Sequence, residues 1–576
     1  MAELETTETK QRRALSGWPM IIAWAGMLVF ALHACTHMVA AGDTWVAMAC
    51  GRHFVDHGVD TVEPFSANSH KPGPTPQEIA KWPGWAQWIA GKVSAETLKK
   101  WHPTGWVNQN WLTHVIFYSL VPKSSYADGL SFTSNALVYW KFTIYIIAII
   151  CVFYTGIIMG VNPALSAVFS CFALFIARSF LDVRPAGFSN VLVAVSLFVM
   201  TLATYRNVLY IWLLVPLTVF WCNVHGGYVY VFIMLVPFLG IHLLACLPRK
   251  LSLILYNVVA WPFFYVVAMR SGSVTLPKLL LLLLIVVLEV VLIAWKDRVR
   301  CIGRRGLYHT VGAAATAFVG MLVLNPFHLT NLTHTFVISV SEHAARWRDI
   351  HEWHPAFDWT NPVGTAKPFL VMYILGWAML LLWVAFRVRV GAISRRPAKR
   401  KTAEKDTFEL PKVDIAHMLI AALTIYMAIR SRRFIPIAAI VACPIIAMLL
   451  DQFIRAISAV LCLDWTGGLR DIRMPRQLES ALTVVGAVAV LFFGTWWGLK
   501  FKRVYLDPWP ADPSYKLSNV FMRMTASDAK PFYATRFIKD NKLSGKMFNY
   551  WTEGGFVAWG QEPDPETGKT PLQLFM

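Results

Sequence analysis

A polar, aromatic loop over residues 42–114 carries the side chains best suited to chemistry beside a membrane. Asp43 comes directly after the first long apolar segment, where its carboxylate could act as a general base at the membrane surface. It could equally cap the N-terminus of a helix over 44–57, which Gly58 would end. Glu63 is a second carboxylate of this loop and could be a substrate ligand or a solvated side chain.

Arginines elsewhere in the chain could hold an anion beside that base. Arg430, Arg432 and Arg433 follow an apolar segment on the predicted outer side, although basic residues usually stay inside. A guanidinium binds phosphate oxygens in pairs, so a lipid-linked phosphate or pyrophosphate is the expected ligand, with anionic lipid headgroups as the alternative. Arg184 follows the third span and could join this anion site or extend to lipid headgroups.

Further candidate ligands are polar or aromatic side chains near the predicted outer ends of spans. Asn223 and His225 precede two glycines, which allow a ligand to approach closely, but they could equally form hydrogen bonds between helices. Trp111 could offer its aromatic face to a sugar ring or to lipid. The candidate substrate-binding residues are therefore Glu63, Trp111, His114, Arg184, Asn223, His225, Glu352, Arg430, Arg432 and Arg433.

The composition indicates that membrane helices position these residues. The chain of 576 residues is 56% hydrophobic and only 15% charged, whereas soluble proteins carry about 25% charged residues. We predict an all-α polytopic membrane protein with about thirteen transmembrane helices, each near the length that a bilayer requires. The predicted spans cover roughly residues 18–41, 137–160, 162–180, 189–204, 208–224, 227–246, 250–269, 277–295, 309–326, 366–386, 413–430, 434–450 and 480–498.

The distribution of basic residues predicts the orientation of these helices. Residues 1–16 form a polar tail that ends with basic side chains, and the strongest basic clusters, within 296–305 and 387–405, fall on the same side of the predicted bundle. Basic loops of membrane proteins tend to stay in the cytoplasm. The transmembrane domain, residues 17–498, therefore begins inside, and its first long loop, residues 42–130, lies outside.

A C-terminal segment, residues 499–576, follows the last span, and the odd number of spans places it outside. Its pattern predicts a small α/β unit with a helix over 531–541, a strand over 546–551 and a turn over 552–556. The segment ends on an apolar, strand-like run at 572–576, which indicates either a truncated reading frame or a natural end.

The net charge of +20 does not indicate a nucleic-acid partner, because the basic residues form short clusters between apolar segments and not one basic face. The sequence contains no P-loop, no GxGxxG after a strand, no HExxH and no GxSxG. Its cysteines include no CxxC and no His/Cys cluster typical of zinc sites. We therefore predict no metal motif, and a divalent cation stays open as a cofactor.

Taken in order along the chain, the motifs resemble those of GT-C type membrane glycosyltransferases. More narrowly, they are similar to a bacterial, largely uncharacterised group of GT-C-like membrane proteins, over nearly the whole chain. The matching residues are Asp43-Thr44-Trp45, Gly51-Arg52, His57-Gly58, Pro64-Phe65-Ser66, Trp111-Leu112, Arg184-Pro185, Asn223-Val224-His225-Gly226-Gly227, Asn325-Pro326, Glu352-Trp353, Arg432-Arg433 and Gly554-Gly555. The chain departs from the pattern at Asn108-Gln109-Asn110, where many relatives carry an acid or a His, and by an insertion-like stretch over about 67–105.

The resemblance implies a sugar donor linked to polyprenyl phosphate and a glycan or protein acceptor. The implied reaction inverts the anomeric centre in one displacement, with Asp43 deprotonating the acceptor hydroxyl. Arg432 and Arg433, with help from Arg184, would hold the departing lipid phosphate. The implied location is the bacterial inner (cytoplasmic) membrane, with a cytoplasmic N-terminus and an extracytoplasmic C-terminus.

Two other classes of function stay open. One is a transporter or flippase of a lipid-linked or anionic substrate, and the other is a non-catalytic membrane assembly protein. Transporters often contain internal repeats with broken helices, and the sequence contains no evident repeat, which favours the enzyme. Convergence of Asp43, His225 and the pair Arg432-Arg433 on one outward site would also favour glycosyl transfer.

Overall fold

Long apolar helices form most of this computed structural model, and its described residues contain one small two-stranded sheet. The described residues are 17–36, 42–67, 73–101, 106–121, 135–266, 276–294, 296–340, 350–394, 408, 410–461, 476–503 and 531–575. The predicted tail over 1–16 lies outside them.

The first part of the chain forms one long apolar helix and five shorter helices. They are α1 (Trp18–Cys35), α2 (Gly42–His57), α3 (Pro76–Ile79), α4 (Gly84–Ala90), α5 (Ala95–Trp101) and α6 (Trp111–Ser119). The insertion-like stretch thus contributes three short helices, the last of which packs against a helix of the bundle.

The middle of the chain forms the bundle. Its helices are α7 (Asn135–Met159), α8 (Pro163–Ala177), α9 (Ala186–Tyr205), α10 (Leu214–Val224), α11 (Val229–Cys246), α12 (Arg249–Phe264), α13 (Leu276–Ala294), α14 (Gly303–Val323), α15 (His328–Val340), α16 (Ala366–Ser394), α17 (Ile415–Arg430), α18 (Ile435–Leu461) and α19 (Arg476–Phe501). Helix α18 is central, because α8, α16 and α17 all pack against it and 89% of its apolar window is buried.

Each of the thirteen predicted spans coincides with a helix, and the multi-pass character is confirmed. Within the described ranges, nine helices are long and apolar enough to cross a membrane: α1, α7, α8, α9, α11, α14, α16, α18 and α19. The apolar helices at 208–224, 281–290 and 415–430 are shorter, and α12 begins with Arg249 and Lys250. A crossing count of thirteen therefore stays a prediction.

Helix α2 carries Asp43 and packs between α6 and the end of the chain. It begins at Gly42, slightly earlier than predicted, so Asp43 lies in its first turn, where the helix dipole favours a carboxylate. Gly58 ends the helix with a φ of 80°, as predicted. A Cβ atom at Gly51 would collide with the carbonyl oxygen of His114, so glycine is needed for α2 and α6 to approach this closely.

The C-terminal segment folds onto the loop that follows α2. It consists of α20 (Phe532–Asp540), β1 (Gly545–Met547), α21 (Gly554–Gly560) and β2 (Leu572–Leu574), with β1 and β2 parallel. Leu574 of β2 donates its N–H to the carbonyl of Phe65 and accepts the N–H of Ala67, both at 2.8 Å. Backbone hydrogen bonds thus join the C-terminal segment to the first long loop.

The helix predicted over 531–541 is present as α20, and the strand-like run predicted at the end of the segment is present as β2. The strand predicted over 546–551 is present as β1, which is shorter than predicted. The predicted turn over 552–556 is wrong, because Gly554 opens helix α21. A Cβ atom at Gly555 would lie 2.9 Å from the backbone nitrogen of Val46, so the glycine serves close packing on α2 and not a turn.

Arg52 of α2 holds the C-terminal segment in place. Its buried guanidinium donates to the carbonyl oxygens of Ala558 at 3.2 Å and Gln561 at 3.0 Å, and it lies over the ring of Trp559. Burial lowers the pKa of Arg52 to about 10, and it still carries its charge near neutral pH. This side chain therefore ties the helix that carries Asp43 to α21.

We expect Arg52→Met to release the C-terminal segment from α2. Each hydrogen bond to a charged donor contributes about 1.5–3 kcal/mol, so the loss of two is about 3–6 kcal/mol locally. Hydrogen exchange of residues 545–575 should become faster in this variant. The matched control is Arg536→Met, whose exposed ion pair with Asp540 contributes at most about 1 kcal/mol. Equal exchange in both variants would contradict the anchoring role.

Candidate functional site

Arg184 lies at the centre of a charged cluster at one end of the bundle. Its Nη1 atom is 3.2 Å from Glu352 Oε2 and 3.8 Å from Asp43 Oδ2, and its Nε atom is 3.9 Å from Asp182 Oδ2. The Arg184 side chain is only 14% exposed, whereas that of Asp43 is 64% exposed. The cluster therefore opens to its surroundings at Asp43, with the guanidinium beneath it.

The loop between α8 and α9 brings Arg184 to Asp43. A short 3-10 helix, Arg178–Phe180, follows α8, and the chain reverses before α9 begins at Ala186. The hydroxyl of Thr44, next to Asp43, donates to the carbonyl of Val183, next to Arg184. This contact joins α2 to the loop and fixes the two charged residues as neighbours.

Two short 3-10 helices bring Glu352 and Arg433 to the same place. One covers His351–Trp353, and the other, Arg432–Phe434, separates α17 from α18. Ser431 donates its hydroxyl to the carbonyl of Glu352 at 3.2 Å. Arg433 Nη1 lies 4.0 Å from Glu352 Oε1, and its guanidinium stacks over Trp353. Glu352 therefore lies between two guanidiniums, one near each of its carboxylate oxygens.

The surrounding charges decide which groups of the cluster ionise. Burial opposes the charge on Glu352, but Arg184 and Arg433 outweigh it and lower the pKa of Glu352. Burial also opposes the charge on Arg184, yet Asp182, Glu352 and Asp43 together raise the pKa of Arg184 above its ordinary value. Both groups are therefore held in their charged forms. Burial raises the pKa of Asp182, despite the nearby Arg184.

The two adjacent arginines, Arg432 and Arg433, have different surroundings. Arg432 is fully buried, and its Nε donates to the carbonyl of Pro355 at 3.1 Å and its Nη2 to the carbonyl of Asp358 at 2.8 Å. Its Nη1 lies 3.1 Å from the His351 ring. Arg432 thus holds the loop that carries Glu352, whereas the Arg433 side chain is 34% exposed beside the cluster.

We expect Arg432→Met to destabilise the protein by about 3–5 kcal/mol, because it removes a buried charge with several hydrogen-bond partners. The loop over 351–358 should lose its protection from hydrogen exchange. Arg430, exposed at the end of α17, provides the matched control. Arg430→Met should change the free energy of unfolding by less than about 0.5 kcal/mol. Similar unfolding midpoints for the two variants would contradict the structural role of Arg432.

His225 lies near the cluster in its neutral form. Its Nδ1 atom accepts hydrogen bonds from the Gly227 N–H at 3.0 Å and from the Ser189 hydroxyl at 2.6 Å, so the ring proton belongs on Nε2. Burial, together with the charges of Arg433 and Arg184, lowers the pKa of His225 to about 3. His225 is therefore a hydrogen-bonding group and not a proton acceptor near neutral pH.

Asn223 and Trp111 are held in a hydrogen-bond network between helices. The indole N–H of Trp111 donates to Asn223 Oδ1 at 2.9 Å. The Asn223 amide donates to the carbonyls of Val219 at 2.8 Å and Leu324 at 3.1 Å, and Asn325 donates to Asn223 Oδ1 at 3.2 Å. These contacts match the interhelical alternative for Asn223, which ties α6 to α10 and to the end of α14.

His114 and Glu63 are both buried, at positions outside the charged cluster. His114 lies beside the Asn108 amide at 3.2 Å, and burial lowers its pKa to about 3. Glu63 accepts the N–H groups of Phe65 at 2.9 Å and Ser66 at 3.0 Å, and burial raises its pKa to about 7. The solvated-loop alternative for Glu63 is therefore wrong, because the C-terminal strand β2 covers this part of the loop.

Asp182 and Lys141 belong to the site's surroundings, although neither was among the candidate residues. Asp182 lies beside Arg184, as given above, and precedes it by two residues in the chain. Lys141 is fully buried in α7, and its charge lowers the pKa of Asp182, in opposition to burial. Lys141 could have been found from the sequence, because it is a lysine within an otherwise apolar predicted span. Ionisable residues within spans are usually functional.

The structure brings together Asp43, Arg184, Glu352 and Arg433 from four separate parts of the chain. Within the described ranges, no group of three or more His, Cys, Asp or Glu side chains is arranged to hold a metal ion. Protein-family models give no match to the chain, and no curated protein matches it. What the fold defines is a multi-pass α-helical membrane protein, and one end of its bundle carries this charged cluster.

Proposed function

We propose that this protein is a membrane glycosyltransferase that moves a sugar from a polyprenyl-phosphate donor to an extracytoplasmic acceptor. The observation that carries the proposal is the contact of one exposed carboxylate, Asp43, with Arg184, which Glu352 links to a second guanidinium, that of Arg433. A base beside two phosphate-binding groups at the end of a membrane bundle suits a water-exposed acceptor and a lipid-anchored donor.

In the proposed reaction, Asp43 takes the proton of the acceptor hydroxyl, and that oxygen attacks the anomeric carbon of the donor. The bond between the anomeric carbon and the phosphate oxygen breaks, and polyprenyl phosphate leaves with both bonding electrons. Arg184 and Arg433 stabilise the charge that develops on the phosphate. One displacement of this kind inverts the anomeric configuration.

Glu352 has a positioning role in this proposal. Its two carboxylate oxygens lie near one guanidinium each, at 3.2 Å from Arg184 and 4.0 Å from Arg433. Without substrate, it separates two positive charges that would otherwise repel each other. A phosphate oxygen that enters between the guanidiniums takes over part of this compensation, while Glu352 keeps both side chains aligned.

The proposed orientation places the charged cluster outside the cytoplasm, in the bacterial inner membrane, with the N-terminus inside. His225 lies near the cluster and caps the short 3-10 helix that leads into α11, whereas Cys246 ends α11 close to Arg249 in the chain. The 18 residues of α11 span about 27 Å, close to the thickness of the hydrocarbon core. The basic residues that follow it therefore lie at the opposite end, and basic loops favour the cytoplasm.

Glycan analysis of cells tests the proposal. A strain that lacks the protein should lose one envelope glycan and accumulate a polyprenyl-phosphate sugar, and Asp43→Asn should not restore the product. Asp56→Asn, an exposed acid of the same helix, should restore it fully. Restoration by Asp43→Asn would contradict the assignment of the base. Unchanged glycans and lipid-linked sugars in the deletion strain would contradict glycosyl transfer and favour an assembly role.

A further inference from the structure

Two cysteines from different segments lie side by side at the end of the bundle opposite the charged cluster. Cys246 is the last residue of α11, and Cys301 comes 55 positions later, just before α14 begins at Gly303. Their Sγ atoms are 3.2 Å apart. The pair lies at the other end of α11 from the charged cluster, so its proximity is independent of the proposed function.

The pair is accessible, unlike most of the described cysteines. Cys301 is exposed and Cys246 is partly exposed, whereas five others are buried: Cys35, Cys50, Cys151, Cys222 and Cys443. Cys171 in α8 is partly exposed as well. Among the eight described cysteines, Cys246 and Cys301 form the pair whose sulfur atoms are in contact.

Cys301 is the more exposed of the two thiols. The N–H of Gly303, in the first turn of α14, points to the Cys301 sulfur at 3.3 Å. Cys301 follows the basic run Lys296-Asp297-Arg298-Val299-Arg300 and precedes Arg304-Arg305. The greater exposure of Cys301 makes it the thiol that an oxidant in solution meets first, with Cys246 as its partner.

The two segments are already joined by other contacts. Arg249 Nη2 lies 3.3 Å from Asp297 Oδ2, and the Cys301 thiol donates to the His242 carbonyl at 3.7 Å. Between the cysteines lie α12 and α13, which pack against each other as a helix pair. Exposed side chains of α12 include Ile254, 61% exposed, and Val258, 64% exposed. A covalent bond here would attach the base of this helix pair to α11 and α14.

We propose that Cys246 and Cys301 form a reversible intramolecular disulfide when the protein meets a peroxide. The Cys301 thiolate attacks one peroxide oxygen, becomes a sulfenic acid and releases hydroxide. The Cys246 thiol then attacks the sulfenic sulfur, forms the S–S bond and releases water. In sum, two thiols lose two electrons and two protons, and one hydrogen peroxide becomes two waters. A dithiol reductant reverses the reaction.

The test uses the full-length protein in lipid nanodiscs, treated with increasing hydrogen peroxide, alkylated and digested for mass spectrometry. We expect a peptide that links Cys246 to Cys301, in monomeric protein, which dithiothreitol removes. The oxidised protein should cleave more slowly within 247–300 during limited proteolysis. Cys171→Ser should keep the link, and Cys246→Ser should lose both the link and the protection while remaining monodisperse.

Three results would overturn the proposal. The first is oxidation of Cys301 to sulfinic or sulfonic acid in the wild type without a link to Cys246. The second is a link between two protein molecules, and the third is full alkylation of both thiols at peroxide levels that oxidise a short cysteine peptide. None of these results bears on glycosyl transfer, because Asp43 and Arg184 lie at the other end of the bundle.

Discussion

Replacing Arg184 by methionine should abolish glycosyl transfer and lower the free energy of unfolding by about 3–5 kcal/mol. The substitution removes the only guanidinium that contacts Asp43, Asp182 and Glu352 together among the described residues. The side chains of Asp182 and Glu352 are only 18% and 28% exposed, so these two carboxylates are left with little solvent to stabilise them. Chemical unfolding in detergent and turnover in nanodiscs measure the two effects separately.

Two further variants separate charge from geometry at this position. Arg184→Lys keeps a positive charge but loses the forked donor, so it should remain folded while transfer falls by about 10²–10³. Arg184→Met combined with Glu352→Gln should recover part of the lost stability, because one uncompensated carboxylate disappears, but it should not recover transfer. Arg206→Met, at the exposed end of α9, is the matched control. An Arg184→Met protein with normal turnover would contradict the site.

Asp43→Asn should lower turnover strongly and change the stability of the protein little. Without a general base, turnover should fall by about 10²–10⁴. Stability should change by less than about 1 kcal/mol, because the Asp43 side chain is 64% exposed and lies 3.8 Å from Arg184. Binding of the lipid donor should be retained, since both guanidiniums stay in place. Initial rates at several donor concentrations distinguish the loss of kcat from a change in KM.

The control for Asp43→Asn is Asp56→Asn, which removes an exposed acid from the same helix at its other end. It should leave turnover and the free energy of unfolding unchanged. A fall in turnover of the same size in both variants would mean that the charge of α2 matters and not a proton acceptor at Asp43. An unfolded Asp43→Asn protein would contradict the exposed position of this side chain.

The helices could be predicted from sequence, because an apolar run of bilayer length satisfies its backbone hydrogen bonds within lipid by forming a helix. The sequence placed Asp43, Arg184, Glu352 and Arg433 on the same side of the membrane. It did not predict which of these side chains are in contact. The residue types suggested that Asp43 could be a base and that arginines could hold phosphate, and the resemblance to a family implied the same roles.

The roles within the arginine pair could not be predicted from sequence. Arg432 and Arg433 are identical neighbours, and only the 3-10 helix between α17 and α18 turns Arg432 inward to the carbonyls of Pro355 and Asp358. The burial of Glu63 depends on β2, which comes from the far end of the chain. Such long-range packing leaves no periodicity in the local sequence.

The fate of the donor lipid is the measurement that tests the central proposal most directly. Wild-type protein in nanodiscs would be incubated with a panel of polyprenyl-phosphate monosaccharides and with acceptor glycans extracted from the cell envelope. We predict that one donor is cleaved, that one polyprenyl phosphate is released for each sugar transferred, and that the new linkage has inverted anomeric configuration. Donors that remain intact, or that cross the bilayer of a proteoliposome without cleavage, would contradict glycosyl transfer.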